Sequence, residues 1–202
     1  MKKIFSSQAG FTITEMLVVI AISGFIFAVA ATGFATFFAK FNELTAFSDL
    51  QKGAFECIQT MKYGIPIRTS AEGGQTWQFR GIVNCTSVSF AGMGNYANSS
   101  QSILLKPPAA DINHVNDWVK FYQEGIYVRS SFADGTLNPP PDYIFPKPAR
   151  NNAVSVTKLE FTKLNAGDTA KVIGVRLEAK VKVRTNYYRY VTFSTKVALM
   201  QN

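Results

Sequence analysis

The chain has 202 residues, 47% of them hydrophobic, and carries 21 Lys and Arg against 13 Asp and Glu, a formal net charge of +8. That length holds one globular domain and one membrane segment, and the cations are spread along the chain, a pattern of solubility more than of a polyanion-binding tract. One histidine and two cysteines at no zinc-finger spacing argue against a metal site, and no nucleophile–base pair or phosphate loop points to an enzyme or to a cofactor.

The chain opens with Lys2 and Lys3, which belong on the cytoplasmic side of a membrane. Polar Ser6-Ser7-Gln8-Ala9-Gly10 follows, and then Met16 to Ala39 runs without a charged residue. As a helix, that run of about 24 residues crosses a hydrocarbon core of about 30 Å. A secretory signal peptide has the reverse order, with a shorter apolar core ahead of its cleavage site. A cut after Gly10 therefore leaves the apolar helix on the mature chain. Glu15 is the informative residue, because a carboxylate near the membrane interior costs about 2.5–3.5 kcal/mol and needs a partner. No Lys or Arg lies in the next three helical turns. A cut between Gly10 and Phe11 creates an α-amino group at Phe11, one turn from Glu15 or beside the Glu15 of an adjacent subunit. That amine supplies the counter-charge, and an acid in the first turn also suits the helix dipole.

Gly10-Phe11-Thr12-x-x-Glu15 followed by a long apolar helix resembles the class III signal of type IV pilins and type II secretion pseudopilins. The resemblance implies cleavage after Gly10 by a prepilin peptidase, N-methylation of Phe11 and a role for Glu15 in docking into a growing filament. It implies a leader over 1–10, a transmembrane and filament-core helix over 11–39, and a head over 40–202. The fold class it implies is α+β: a pilin fold whose long N-terminal helix, half membrane-spanning and half amphipathic, packs on an antiparallel β-sheet domain. Major pilins of that family commonly carry a proline within the apolar segment. Here Ala31-Thr32-Gly33 stands there and no proline precedes Pro66, as in minor pilins and several pseudopilins. Ser23, Gly24 and Gly33 are small enough for close helix packing.

Past Lys40 the helical period becomes amphipathic, with Phe41, Leu44, Phe47, Ala54, Phe55, Ile58 and Met61 at steps of three or four. Gly64 and Pro66 end the helix near residue 63, with Gly53 as a weak point within it. The remainder, 69–202, reads as mostly β. Thr76–Phe90 has β character, and Ile103–Lys106, Trp118–Tyr122 and Gly125–Arg129 read as strands. Gly92–Asn95 and Asp134–Pro148 read as loops, and His114 as an ordinary loop residue. Asp111, Asp117, Asp134 and Asp142 lack the spacing of a calcium loop. Val154–Leu164, Lys171–Arg184 and a last strand through Val191, Phe193, Thr195, Val197 and Leu199 form an antiparallel meander with one wet and one buried face. With the head outside the cytoplasm, a Cys57–Cys85 disulfide is expected, the alternative being two buried free thiols.

Asp49-Leu50-Gln51 in the helix and the terminal strand ending near Asn202 resemble the minor pseudopilins lettered J and the W-type minor pilins. The expected role is thus structural: a minor subunit that initiates or tips a pilus or secretion pseudopilus. Its partners would be the prepilin peptidase, other pilin subunits, the inner-membrane assembly platform and, before assembly, the bilayer. It would span the inner membrane once, N-terminus cytoplasmic and head outside, and then enter a filament in the periplasm or at the cell surface. The alternative is a DNA-binding pilin of a competence filament, with Arg176, Lys180, Lys182, Arg184 and Arg189 on phosphates and Tyr187, Tyr188 and Tyr190 on bases. Glu178 in the middle of that row favours a merely solvated face, so DNA is the less favoured partner.

Overall fold

A computed structural model of the chain describes residues 11–71, 74–85, 87–90, 99–106, 118–133, 142–148, 153–165 and 171–199, and over 66–80 it describes the backbone alone. Contacts divide the chain into two compact units, Met1–Thr45 and Ala46–Asn202. One α-helix, α1, runs Ile13–Tyr63. Gly64 ends it with φ at 103°, and its amide still donates to the Thr60 carbonyl.

In the first unit α1 is apolar and exposed all round, and it is long and apolar enough to cross a bilayer. The Thr32 and Thr36 hydroxyls are satisfied locally. Thr32 donates to the Val29 carbonyl at 2.9 Å and Thr36 to the Thr32 carbonyl at 3.0 Å, so neither polar group needs water. The first charges beyond the apolar run form an i,i+3 pair, Lys40 to Glu43 at 3.1 Å, with Glu43 buried.

In the second unit the helix buries one stripe, Leu50, Ala54, Cys57, Ile58 and Met61. The expected stripe is thus corrected in detail: Leu50 and Cys57 belong to it, whereas Phe41, Leu44 and Phe55 are exposed. Among the described residues, three antiparallel sheets accompany this stretch. The first is a hairpin of β1 (Ile65–Ala71) and β2 (Gly74–Arg80). A single 3-10 turn, Ile82–Asn84, interrupts the β run expected over Thr76–Phe90. Glycine is required just before it, because a Cβ on Gly81 would stand 2.2 Å from the Gly64 amide nitrogen.

The second sheet has the order β3-β5-β6-β7-β8, made of Ser87–Ser89, Ser102–Lys106, Trp118–Glu124, Tyr127–Ala133 and Asp142–Phe145. The strand expected from Gly125 starts later, because Gly125, at φ 59°, and Ile126 make the β6–β7 turn. β8 lies inside the expected Asp134–Pro148 loop. Of its four residues, set between Pro141 and Pro146, Asp142, Tyr143 and Phe145 pair with β7, Ile144 stands at a register shift, and Phe145 turns into the core. Phe145 also explains Gly53. A Cβ on Gly53 would lie 2.7 Å from the Phe145 ring, so the glycine is the notch that admits it. The loop at Gly92–Asn95 and His114, Asp111, Asp117 and Asp134 lie outside the described residues.

The third sheet has the order β11-β10-β9-β4, made of Tyr187–Ala198, Val172–Arg184, Val154–Lys163 and the two-residue β4, Ser99–Ser100. This is the meander read from the alternation. Ile173, Val175, Leu177, Ala179 and Val181 of β10 are buried in one continuous core with the helix stripe. β9 switches its inward parity from Val154 and Val156 to Leu159 and Phe161, because its register with β10 shifts between Glu178 and Ala179. On the edge of β9 turned away from β10, Val156 donates to the carbonyl of Ile126 in the β6–β7 turn at 2.9 Å, and Leu159 to the side-chain oxygen of Gln123 in β6 at 2.9 Å. These two bonds tie β9 to the β6–β7 hairpin.

Candidate functional site

Two surfaces carry the residues that the sequence singles out. The first is the start of α1. The Thr12 carbonyl accepts the first helical hydrogen bond, from the Met16 amide at 3.1 Å, which makes Thr12 the N-cap. The Thr12 amide donates to Glu15 Oε2 at 2.8 Å and the Thr12 hydroxyl to the same oxygen at 2.9 Å. In return the Glu15 amide donates to Thr12 Oγ1 at 3.3 Å. This is a reciprocal capping box, in which a threonine and the glutamate three residues on satisfy each other's orphan groups.

Glu15 therefore has a partner in its own chain before any cut is made. The sequence carries that signal as Thr-x-x-Glu ahead of an apolar run, and reasoning from charge alone passes over it in favour of the Phe11 amine. Phe11 itself is 78% exposed, while Gly10 lies outside the described residues. Gly24 and Gly33 have nothing within 4 Å of where a Cβ would stand, so both leave open space along the helix.

The second surface is the β10–β11 hairpin. The structure divides the five expected cations. Arg176 bonds Glu178 at 2.7 Å, and Lys158 bonds Glu160 at 2.9 Å on the neighbouring strand, so the middle of the wet face is neutralised. Lys180 and Lys182 share the wet face further on, opposite Tyr190 and Tyr188, and Arg184 stands opposite Tyr187 past a register shift. The Lys180 ammonium lies 4.9 Å from the Tyr188 ring centroid. Arg189 stands opposite Val181, out of the lysine row, and its guanidinium lies 5.4 Å from the Tyr187 ring.

The expected Cys57–Cys85 disulfide is corrected. Both residues are buried free thiols. Cys85 follows the 3-10 turn, and its sulfur donates back to the Ile82 carbonyl at 3.1 Å instead of meeting Cys57. Burial raises both thiol pKa values, that of Cys85 to about 12, so neither is an available thiolate near neutral pH. Among the described residues, no cluster of three or more His, Cys, Asp or Glu side chains is placed to hold a metal ion.

A capped and uncovered apolar helix, continued in sequence by an antiparallel α+β head, fits the membrane-anchored subunits of pilin-like filaments. Residues 5–31 match the family model of the prokaryotic N-terminal methylation motif, consistent with the type IV pilin-like and pseudopilin family. The motif supports a subunit of pilin or pseudopilin type and implies processing by prepilin peptidase and assembly with other pilin subunits. The family it marks is structural rather than enzymatic. No curated protein and no solved structure matches the chain.

Proposed function

We propose that the chain is a minor, non-enzymatic subunit that initiates or tips a type IV pilus or a type II secretion pseudopilus. The observation that carries this reading is Glu15, a carboxylate held in the first turn of a helix whose apolar surface is exposed on every side. Such a surface is stable only in lipid or against the same surface of other subunits. Cleavage between Gly10 and Phe11, with methylation of Phe11, frees an amine one turn from Glu15. The carboxylate then exchanges its bonds to Thr12 for that amine or for the amine of a neighbour. Residues 1–10 act as leader, 11–39 as membrane and filament-core helix, and 40–202 as head outside the cytoplasm, extruded by an inner-membrane assembly platform.

The missing proline, Asp49-Leu50-Gln51 and the terminal strand support a minor role of the J or W kind. The experiment is deletion combined with quantification of the subunit in sheared filaments. An initiating minor subunit is a small fraction of filament mass, yet its loss abolishes filaments. Unchanged filaments in the deletion strain, or a subunit that makes up most of the filament, would contradict the reading. A second reading, a DNA-uptake filament, is favoured by one observation: the cations at the hairpin end stand among exposed tyrosines.

A further inference from the structure

We propose that the end of the β10–β11 hairpin binds single-stranded nucleic acid, with Lys180, Lys182 and Arg184 holding phosphates and Tyr188 and Tyr190 stacking bases. Glu178 is the last carboxylate side chain in the sequence, and the 24 residues after it hold five cations. Hairpin pairing folds that acid-free stretch onto itself and so concentrates its charge. Among the described residues, no carboxylate pairs with Lys180, Lys182 or Arg184, whereas Arg176 and Lys158 each have one. The free cations therefore begin where the neutralised part of the face ends.

The arrangement selects the ligand class. Alternate residues of a strand stand about 7 Å apart, so Lys180 and Lys182 form a row that Arg184 prolongs. An open row suits a linear polyanion, whereas a single small anion needs donors converging in a concavity. Tyr188 is 37% exposed and Tyr190 63%, both on the adjacent strand opposite the lysines. Exposed aromatic rings beside a cationic row offer stacking platforms, and unpaired bases present the flat faces that use them. A duplex hides those faces, and an acidic polysaccharide or a lipid headgroup lacks them. A second copy of the chain is disfavoured, because it would bring like charge against like.

This inference deepens the DNA-uptake reading and rests on it for its biological purpose. Its test is fluorescence anisotropy of a labelled oligothymidylate with the full-length protein in nonionic detergent micelles, at several salt concentrations. The triple variant Lys180→Gln/Lys182→Gln/Arg184→Gln should bind at least tenfold more weakly and lower the salt slope by about two. Tyr188→Leu and Tyr190→Leu should each lose roughly tenfold on the single strand, with little effect on a duplex of equal length. Glu178→Gln, which releases Arg176, should tighten binding, and Arg176→Gln, which bares Glu178 beside Lys180, should weaken it by less than the triple variant does.

Absent oligonucleotide binding by the wild type at low salt, or equal binding by the triple variant, would overturn the proposal. Equal affinity for duplex with neutral tyrosine variants would overturn the single-strand assignment. So would retention on anionic phospholipid vesicles without oligonucleotide binding. DNA uptake in cells separates the surface from its purpose. If the triple variant loses binding in solution but supports normal uptake, the surface stands and the uptake reading falls.

Discussion

The two halves of α1 share a backbone and differ in everything that surrounds it. Before Thr45 the large apolar side chains lie open, with Phe25 at 71% and Phe27 at 74% exposure. After Ala46 an equally regular helix hides Leu50, Ala54 and Met61 completely. Helical propensity cannot distinguish them, since both are helix throughout. What differs is the solvent each half is built for. The first half meets no sheet in its own unit and needs lipid or neighbouring subunits, whereas the second shares one buried core with residues of β10 and β8. A stability probe should therefore read the second half, and an assembly probe the first.

The largest expected effect is on assembly. Glu15→Ala should leave membrane insertion and leader removal intact, since it removes a carboxylate from apolar surroundings. It should also deprive both Thr12 and the processed Phe11 amine of their acceptor, and cut incorporation into filaments by an order of magnitude or more. Probing sheared filaments for the variant decides this, and normal incorporation would remove Glu15 from assembly. Next in size is a paired substitution that sets one half of the helix against the other. Leu50→Ala should destabilise the head by about 2–5 kcal/mol. Phe27→Ala should leave head unfolding within about 0.5 kcal/mol of wild type while weakening filaments. Denaturant melts of the full-length protein in detergent check both, and equal effects would erase the distinction.

Gly53→Ala sharpens the same boundary from within the head. A helix propensity argument makes alanine the better residue by about 1 kcal/mol. The Phe145 ring allows no Cβ there, so the variant should instead lose about 1–3 kcal/mol through overpacking. Combining it with Phe145→Leu should recover part of that loss.

At neutral pH the smallest effect concerns the cysteines. Alkylating reagents at neutral pH should leave both thiols of the native protein unmodified, and modify both once it is denatured without reductant. Absence of modification after denaturation would restore the disulfide. Raised thiol pKa values also give a pH dependence of known sign. Unfolded thiols ionise near pH 9, while Cys85 holds its proton to about 12 and Cys57 is raised as well. Above pH 9 the unfolded state binds fewer protons, so stability falls with rising pH, by up to about 1.4 kcal/mol per unit for each thiol. The double variant Cys57→Ala/Cys85→Ala should lack that slope.

Legibility in the sequence follows the strength of each local signal. The helix to Tyr63 and the meander from Val154 onward are readable because their periods, 3.6 and 2, run uninterrupted for many residues. β8 is not, because Asp142–Phe145 is four residues among prolines and becomes a strand only by pairing with β7. Gly53 reads as a weakness until Phe145, distant in sequence, is seen to fill its notch. Arg176 and Lys180 look equivalent in the alternation, and only the bond to Glu178 tells them apart. At the site, Glu15 stands out by its cost in an apolar run, yet its bond to Thr12 is the quieter half of a motif present in the sequence all along.

The most direct test of the whole reading is the intact mass of the full-length protein extracted from membranes of cells with an active prepilin peptidase. The predicted mature chain begins at Phe11 and carries one methyl group on its amine, so that the helix starts with a new positive charge beside Glu15. A chain that still begins at Met1 under those conditions would contradict it.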